Sequence, residues 1–317
     1  MSTTKPDEST LKELAAASIR LARGAGDVLR RYQSGSIHVD YKGKEATDPV
    51  TEADRRVEEY LQGEISREFP DHGIVAEESA ETAGAEDADF MWALDPVDGT
   101  ANFAAGVPFY AVSIGLLYRG VPVVGSLHLP STFAGDGVYH ARVGGGAYAE
   151  DTPLKVSDSP FPQPSRLSGV PAGYGRAFSM KREKGRGLGE VRVMGSIACE
   201  MVLVAKGVFQ SSLFTGSHIW DVAAGMVLIQ EAGGVVMEWR RGRWKPFREF
   251  VAPSEKSGEG RAQALRRWGA PLLTGGPDVA AYLASRMRLR RRTLGSFLRG
   301  LRLSMAGTNR RPPKGLV

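Results

Sequence analysis

Apolar residues recur at helical spacing near the start of the chain. Leu11, Leu14, Ser18, Leu21, Ala25, Val28 and Tyr32 share one face of a helix of about 20 residues. Thr10 and Glu13 have the spacing of a capping box at its start. A second helix follows the turn "TDPVTEAD" (47–54), with Thr51 as N-cap and Val57, Tyr60, Leu61 and Ile65 inward. The pattern then changes to short, unbroken apolar runs. "GIVAEES" (73–79) and "FMWALDPVDGT" (90–100) read as buried strands that end in acids. "PFYAVSIGLLYRGVPVVGSLHLP" (108–130) reads as a hairpin turning at Arg119-Gly120, and 137–157 continues in strands.

The second half alternates. "SRLSGV" and "EVRVMGS" predict strands, "IACEMVLVAKG" a helix ending at Gly207, "WDVAAGMVLIQEAGG" (220–234) a helix stopped by Gly-Gly, and "GVVMEW" a strand. The Gly-rich, basic stretch 170–190 predicts a mobile surface loop. Strands alternate with helices too few for a barrel, so the fold class is α/β or α+β, a layered sandwich. A boundary near residue 155 divides the chain into an N-terminal α+β unit (1–155), a C-terminal α/β unit (156–285) and a basic tail (286–317).

Composition narrows the chemistry. With Cys199 the only cysteine in 317 residues, neither an internal disulfide nor a cysteine-ligated metal is available. The polar N-terminus does not read as a signal peptide, and no apolar run reaches the roughly 18 residues of a spanning helix. The expectation is a cytoplasmic protein. The net charge of +5 is misleading, because 286–317 holds ten cations and no acid, leaving residues 1–285 at −5.

Acids gather where apolar runs stop: Glu77 and Glu78 after "GIVA", Asp95 and Asp98 after "FMWAL", Asp221 after Trp220, and Asp54 at a helix start. Each alone has a plain reading. Asp-Pro and Asp-Gly form turns, "EES" suits a solvated loop, and Asp54 and Asp221 suit helix N-termini. Together they converge, and convergent carboxylates repel unless a cation compensates. Mg2+ takes hard oxygen ligands and keeps waters for substrate. Pro96 bends the chain so that Asp95, Asp98 and the Val97 carbonyl can face one site, with the Gly99 and Thr100 N–H groups suited to a phosphate oxygen.

"WALDPVDGTANF" (92–103), "WDVAAG" (220–225), "AEES" (76–79) and "DPVTEAD" (48–54) resemble, in order and separation, the motifs of the inositol monophosphatase family of Mg2+-dependent, Li+-sensitive phosphatases. The resemblance runs from about residue 10 to about residue 284. It implies a layered αβαβα sandwich, a homodimer, and hydrolysis of a small phosphorylated polyol or sugar such as inositol 1-phosphate. 3′-Phosphoadenosine 5′-phosphate, fructose 1,6-bisphosphate and histidinol phosphate are alternative substrates. By the same resemblance Glu77, Asp95 and the Val97 carbonyl hold one Mg2+, Asp95, Asp98 and Asp221 a second, and Glu77 leans on a weaker third. Asp54 and Thr100 activate the attacking water, and Gly99 and Thr100 bind phosphate.

The resemblance also implies that Gly195, Ser196 and Ile197 fall on the leaving-group side and that a family lysine falls on Lys44 or Lys42. Where the family often has an acid for substrate hydroxyls, seven residues before Asp221, this chain has Phe214, a core residue or a surface for stacking a nucleobase. His218 is expected to pack or support rather than ligate, since a hard cation prefers oxygen. The tail either remains solvated or forms a basic helix from Arg286 to Leu303 that touches RNA or an anionic membrane. An RNA- or transcription-associated regulator is the reading from a second functional class.

Overall fold

The computed structural model describes residues 6–32, 39–42, 48–79, 83–130, 137–181, 187–251 and 260–290. Helix α1 (Glu8–Arg30) begins one turn earlier than the Thr10–Glu13 pair predicts. Asp7 is its N-cap, accepting hydrogen bonds from the Thr10 N–H at 2.9 Å and the Thr10 hydroxyl at 2.8 Å. A carboxylate facing the positive end of the helix displaces the weaker hydroxyl cap. The ribbon β1 (Val39–Lys42) and β2 (Asp48–Thr51) leads into α2 (Glu52–Glu68). Thr51 caps α2, and Asp54 closes a capping box by accepting from the Thr51 N–H at 2.7 Å.

Eight strands form the first sheet: β3 (Gly73–Ala76), β4 (Ala83–Gly84), β5 (Phe90–Asp98), β6 (Ala111–Tyr118), β7 (Val121–Leu129), β8 (Gly137–Arg142), β9 (Gly146–Ala149) and β10 (Thr152–Pro153). Their order is β10-β9-β8-β7-β6-β5-β3-β4, with β3 and β5 the parallel pair. The short helix α3 (Thr100–Ala104) follows β5. The second sheet contains β11 (Leu167–Gly169), β13 (Glu190–Arg192), β14 (Phe209–Ser217), β15 (Val235–Arg240), β16 (Arg243–Pro246) and β17 (Ala270–Gly275), in the order β13-β11-β14-β17-β15-β16.

Between the sheets lie α5 (Ile197–Ala205) and α6 (Ile219–Glu231), whose residues are buried almost throughout. A helix apolar on all sides belongs in the middle of a structure. Helices α1 and α2 cover the outer face of the first sheet, and α8 (Pro277–Arg286) covers that of the second. The layers therefore run α, β, α, β, α. The small residues of "WDVAAG" have a packing role here. A Cβ added to Gly115 on β6 would stand 2.5 Å from the Ala223 Cβ, and one on Gly125 of β7 would stand 2.3 Å from the Ala224 carbonyl. Helix α6 lies so close to the first sheet that larger residues would push it away.

The stretch 170–190, expected as a loop, holds α4 (Tyr174–Ala177) and β12 (Phe178–Met180) among its described residues. Strand β12 pairs with β18 (Met287–Leu289), a partner more than a hundred residues away, which local sequence does not reveal. The segment read as a basic tail thus starts inside the fold. Residues 291–317 lie outside the described residues, as does most of the Arg286–Leu303 segment. No described helix is long and apolar enough to cross a membrane.

Candidate active site

The "DPVD" stretch does not leave the sheet. Asp95 pairs with Ser113 and Asp98 with Ala111, so β5 carries one extra residue against β6. This is a bulge, which tolerates a proline that cannot donate to the ladder and re-aims the side chains around it. The Val97 N–H turns back to Asp95 Oδ1 at 3.0 Å. Gly99 then takes φ 94° and starts α3, and a Cβ there would stand 2.8 Å from the Phe109 carbonyl. Only glycine combines that dihedral with that closeness. Ser196, the N-cap of α5, closes the other side by donating to Asp98 Oδ2 at 2.5 Å, and the Ala198 N–H donates to the same oxygen at 2.6 Å.

Asp221 lies in the first turn of α6 and accepts from the His218 N–H at 2.7 Å. Glu77 follows β3, and its N–H donates to the Leu94 carbonyl of β5 at 3.1 Å. Asp54 enters from α2. Thr100 Oγ1 donates to Asp54 Oδ1 at 3.1 Å and also lies 3.0 Å from the Val97 carbonyl. Four acid-bearing elements therefore meet at one end of the first sheet.

Their electrostatics are those of crowded, dehydrated acids. Burial raises the Asp95 carboxyl well above its ordinary range, and the charges of Glu77, Asp98 and Asp221 add to this. The side chain of Glu77 beside it raises it further. Burial pushes Asp98 up to about 6 against the opposing Ser196 and Ala198 donors. Asp221 is raised by burial and then by Asp98, and Asp54 by burial. Among the described residues no Lys or Arg pairs with Asp54, Asp95, Asp98 or Asp221.

No group of three or more acidic, histidine or cysteine side chains, among the described residues, stands in ready ligating geometry. The carboxylates are instead turned onto protein donors and one another. The donor set is nevertheless oxygen only and largely buried, and among the described residues its four aspartates pair with no Lys or Arg. That chemistry fits a hard divalent ion.

The remaining expected positions divide. Ser196 belongs to the cluster through Asp98. Gly195 abuts Gly99, and Ile197 opens α5 half-buried. Phe214 takes a core position, 3 % exposed and in register with Leu272. Lys44 lies outside the described residues, and Lys42 lies in β1. The exposed His218 ring stacks on Trp220 at 4.9 Å.

A model of the inositol monophosphatase family matches residues 10–269. The chain belongs to that family. A fructose-1,6-bisphosphatase/inositol-1-monophosphatase of Aquifex aeolicus is 33% identical over 237 residues, covering 72% of this chain and 86% of its own. Inositol monophosphatase 1 of Sus scrofa is 32% identical over 254 residues, 76% of this chain and 89% of its own. The solved inositol monophosphatase of Anabaena superposes with a TM-score of 0.62 at 27% identity, covering 87% of this chain and 95% of that one. Family membership makes this chain a phosphoric monoester hydrolase of small phosphorylated substrates.

Four further residues of this family member hold the site, and of these only Asn102, within "WALDPVDGTANF", belongs to a motif. Glu58 on α2 accepts from the Glu78 N–H at 2.9 Å and from the Ser79 hydroxyl, fixing the chain just after Glu77. Ser113, opposite Asp95, donates to the Trp220 carbonyl at 3.0 Å and so locates the start of α6. Asn102 bridges the Phe109 and Met194 carbonyls at 2.7 and 2.8 Å, tying the Gly99 turn to Gly195. Arg266, at the end of α7 (Arg261–Arg266), donates to the Ala76 and Glu77 carbonyls and lies 5.1 Å over the Trp220 ring. One guanidinium thus spans the backbone of Glu77 and the residue before Asp221. The only sequence signal for Glu58, Ser113 and Arg266 is polarity at otherwise apolar or helical positions, which does not name a partner, whereas Asn102 is marked by its motif.

Proposed function

We propose that the chain hydrolyses a small phosphorylated polyol or sugar with the help of two or three Mg2+ ions, and that inositol 1-phosphate represents its substrate class. Glu77, Asp95, Asp98, Asp221 and the Val97 carbonyl would hold the ions. When bound, divalent cations supply charge neutralisation for the phosphate and make water more acidic. The observation that carries this reading is the convergence of the buried Asp54, Asp95 and Asp98 and the half-buried Asp221 on a Gly-Thr turn, with no Lys or Arg paired to them among the described residues.

Asp54 and Thr100 are the proton-handling pair. Thr51 occupies Asp54 Oδ2 through its N–H and hydroxyl, which leaves Oδ1 facing Thr100 Oγ1. A water placed against Thr100 can pass its proton through the hydroxyl to Oδ1, and burial has already made that carboxyl more basic. The Gly99 and Thr100 N–H groups orient the phosphate, while Gly195, Ser196 and Ile197 face the leaving alcohol. Phosphoryl transfer depends mainly on such positioning and charge stabilisation.

Two observations support the polyol or sugar class. The Aquifex aeolicus relative is named for fructose-1,6-bisphosphate and inositol 1-phosphate together, and Phe214 sits in the core, away from any role in stacking a base. The test is phosphate release from inositol 1-phosphate, fructose 1,6-bisphosphate, 3′-phosphoadenosine 5′-phosphate and histidinol phosphate, with and without Mg2+. Mg2+-dependent turnover greatest on the first is expected. Hydrolysis of none of the four overturns the reading, and preference for the adenosine compound overturns the substrate class.

A further inference from the structure

Away from the carboxylates, one edge of the molecule concentrates the opposite charge. The hairpin β15–β16 forms an end of the second sheet and borders a cleft of about 710 Å3 whose charged lining is Arg240, Arg241, Arg243, Lys245 and Arg248 against Glu238 and Glu249. The four arginines are exposed. Among the described residues only Arg240 has a carboxylate within ion-pair reach, Glu238 at 3.5 Å.

The ribbon β12–β18 packs beneath the hairpin. Trp244 stacks on Phe178 at 6.1 Å, and its indole N–H donates to the Met287 carbonyl at 3.0 Å. This brings Arg286, Arg288 and Arg290 to the same edge. Lys181 joins them, since its N–H donates to the Arg286 carbonyl at 3.0 Å. The described chain ends here at Arg290.

We propose that this edge binds single-stranded nucleic acid through its phosphodiester backbone. The cations are a local feature of a chain whose first 285 residues are net negative, so general basicity does not account for them. Arginine dominates over lysine, and its planar fork matches phosphate oxygens in pairs. The described exposed large hydrophobics, Val107, Val193, Val208 and Val251, lie on none of the four strands. An interfacial lipid site needs an apolar face to insert, and this edge lacks one. A small cleft with a protruding hairpin admits a flexible strand more readily than a rigid duplex. Contacts made only to phosphates do not read bases, so binding is sequence-tolerant and steeply salt-dependent. The inference does not depend on the reaction proposed above.

The test is fluorescence anisotropy of a short, mixed-sequence, single-stranded RNA titrated with the full-length protein at several salt concentrations. The comparison is with the fourfold variant Arg240→Gln, Arg241→Gln, Arg243→Gln and Arg248→Gln. Wild-type binding weakens steeply with salt. The variant binds roughly tenfold or more weakly, its salt slope shallower by about 0.7 for each phosphate it no longer neutralises. Circular dichroism and phosphatase turnover stay unchanged. Should the fourfold variant misfold, Arg241→Gln and Arg243→Gln singly must each lower the slope. No RNA binding by wild type, unchanged affinity and slope in the variants, or capture by phosphatidylserine vesicles without RNA binding would each overturn the proposal.

Discussion

Asp54, Asp95 and Asp98, and in larger part Asp221, are drawn out of water at strand and helix ends, whereas Arg241, Arg243 and Arg248 stand in water around a hairpin. The two regions hold comparable numbers of charges in opposite ways. Around the carboxylates dehydration dominates: it raises their proton affinity and creates demand for a cation. Around the arginines solvent screens repulsion, so the charge remains available to a partner but contributes little to holding the fold. Buried charge makes a site that must be filled; exposed charge makes a surface that can be.

The largest expected effect breaks the buried side of this comparison. Asp95→Asn or Asp221→Asn should lower Mg2+-dependent phosphate release by roughly a thousandfold, a loss at the upper end of that for a single preorganised electrostatic contact. Near-normal turnover in both variants would show that the buried acids are structural.

Next in size is a pH effect on the metal-free protein. Asp98 has its folded pKa raised from 3.8 to about 6. The folded state therefore binds its proton more tightly than the unfolded chain, and stability present below pH 4 is lost as pH rises through about 6. This one group accounts for about 3 kcal/mol. Chemical denaturation in chelator across that window should show the decline, and Mg2+ should restore more stability at pH 7 than at pH 5. A metal-free protein that gains stability over the same window would contradict the assignment.

Arg266→Met should weaken divalent-ion binding about tenfold, as for other residues that orient metal ligands. The Mg2+ dependence of Tm measures this independently of catalysis. An unchanged Mg2+ response would reduce Arg266 to packing. Ser113→Ala, which removes one hydrogen bond to the Trp220 carbonyl, should lower stability by about 1 kcal/mol. Substituting the exposed Arg243 by Gln should leave stability within about 0.5 kcal/mol, as for ordinary surface positions.

The acids and their elements are legible in the sequence because each lies at the end of an apolar run, where periodicity breaks. Thr51 and Asp54 are readable for a similar reason, since a capping box is local. Asp7 escapes notice as the cap of α1 because a second good capping pair lies three residues further on. The bulge that aims Asp95 and Asp98 depends on β6, and the β12–β18 ribbon joins segments more than a hundred residues apart. Glu58, Ser113 and Arg266 act on groups distant in the chain, so their spacing carries no message. Phe214 shows the converse: the position is conspicuous beside the family pattern, yet its side chain is committed to the core.

The most direct test of the central claim is the initial rate of phosphate release from inositol 1-phosphate as a function of Mg2+ concentration, for wild type and Asp95→Asn. The account predicts that wild-type rate rises from nothing in chelator to saturation and that the variant stays near baseline throughout. Hydrolysis that persists in chelator, or a variant that follows the wild-type curve, would contradict it.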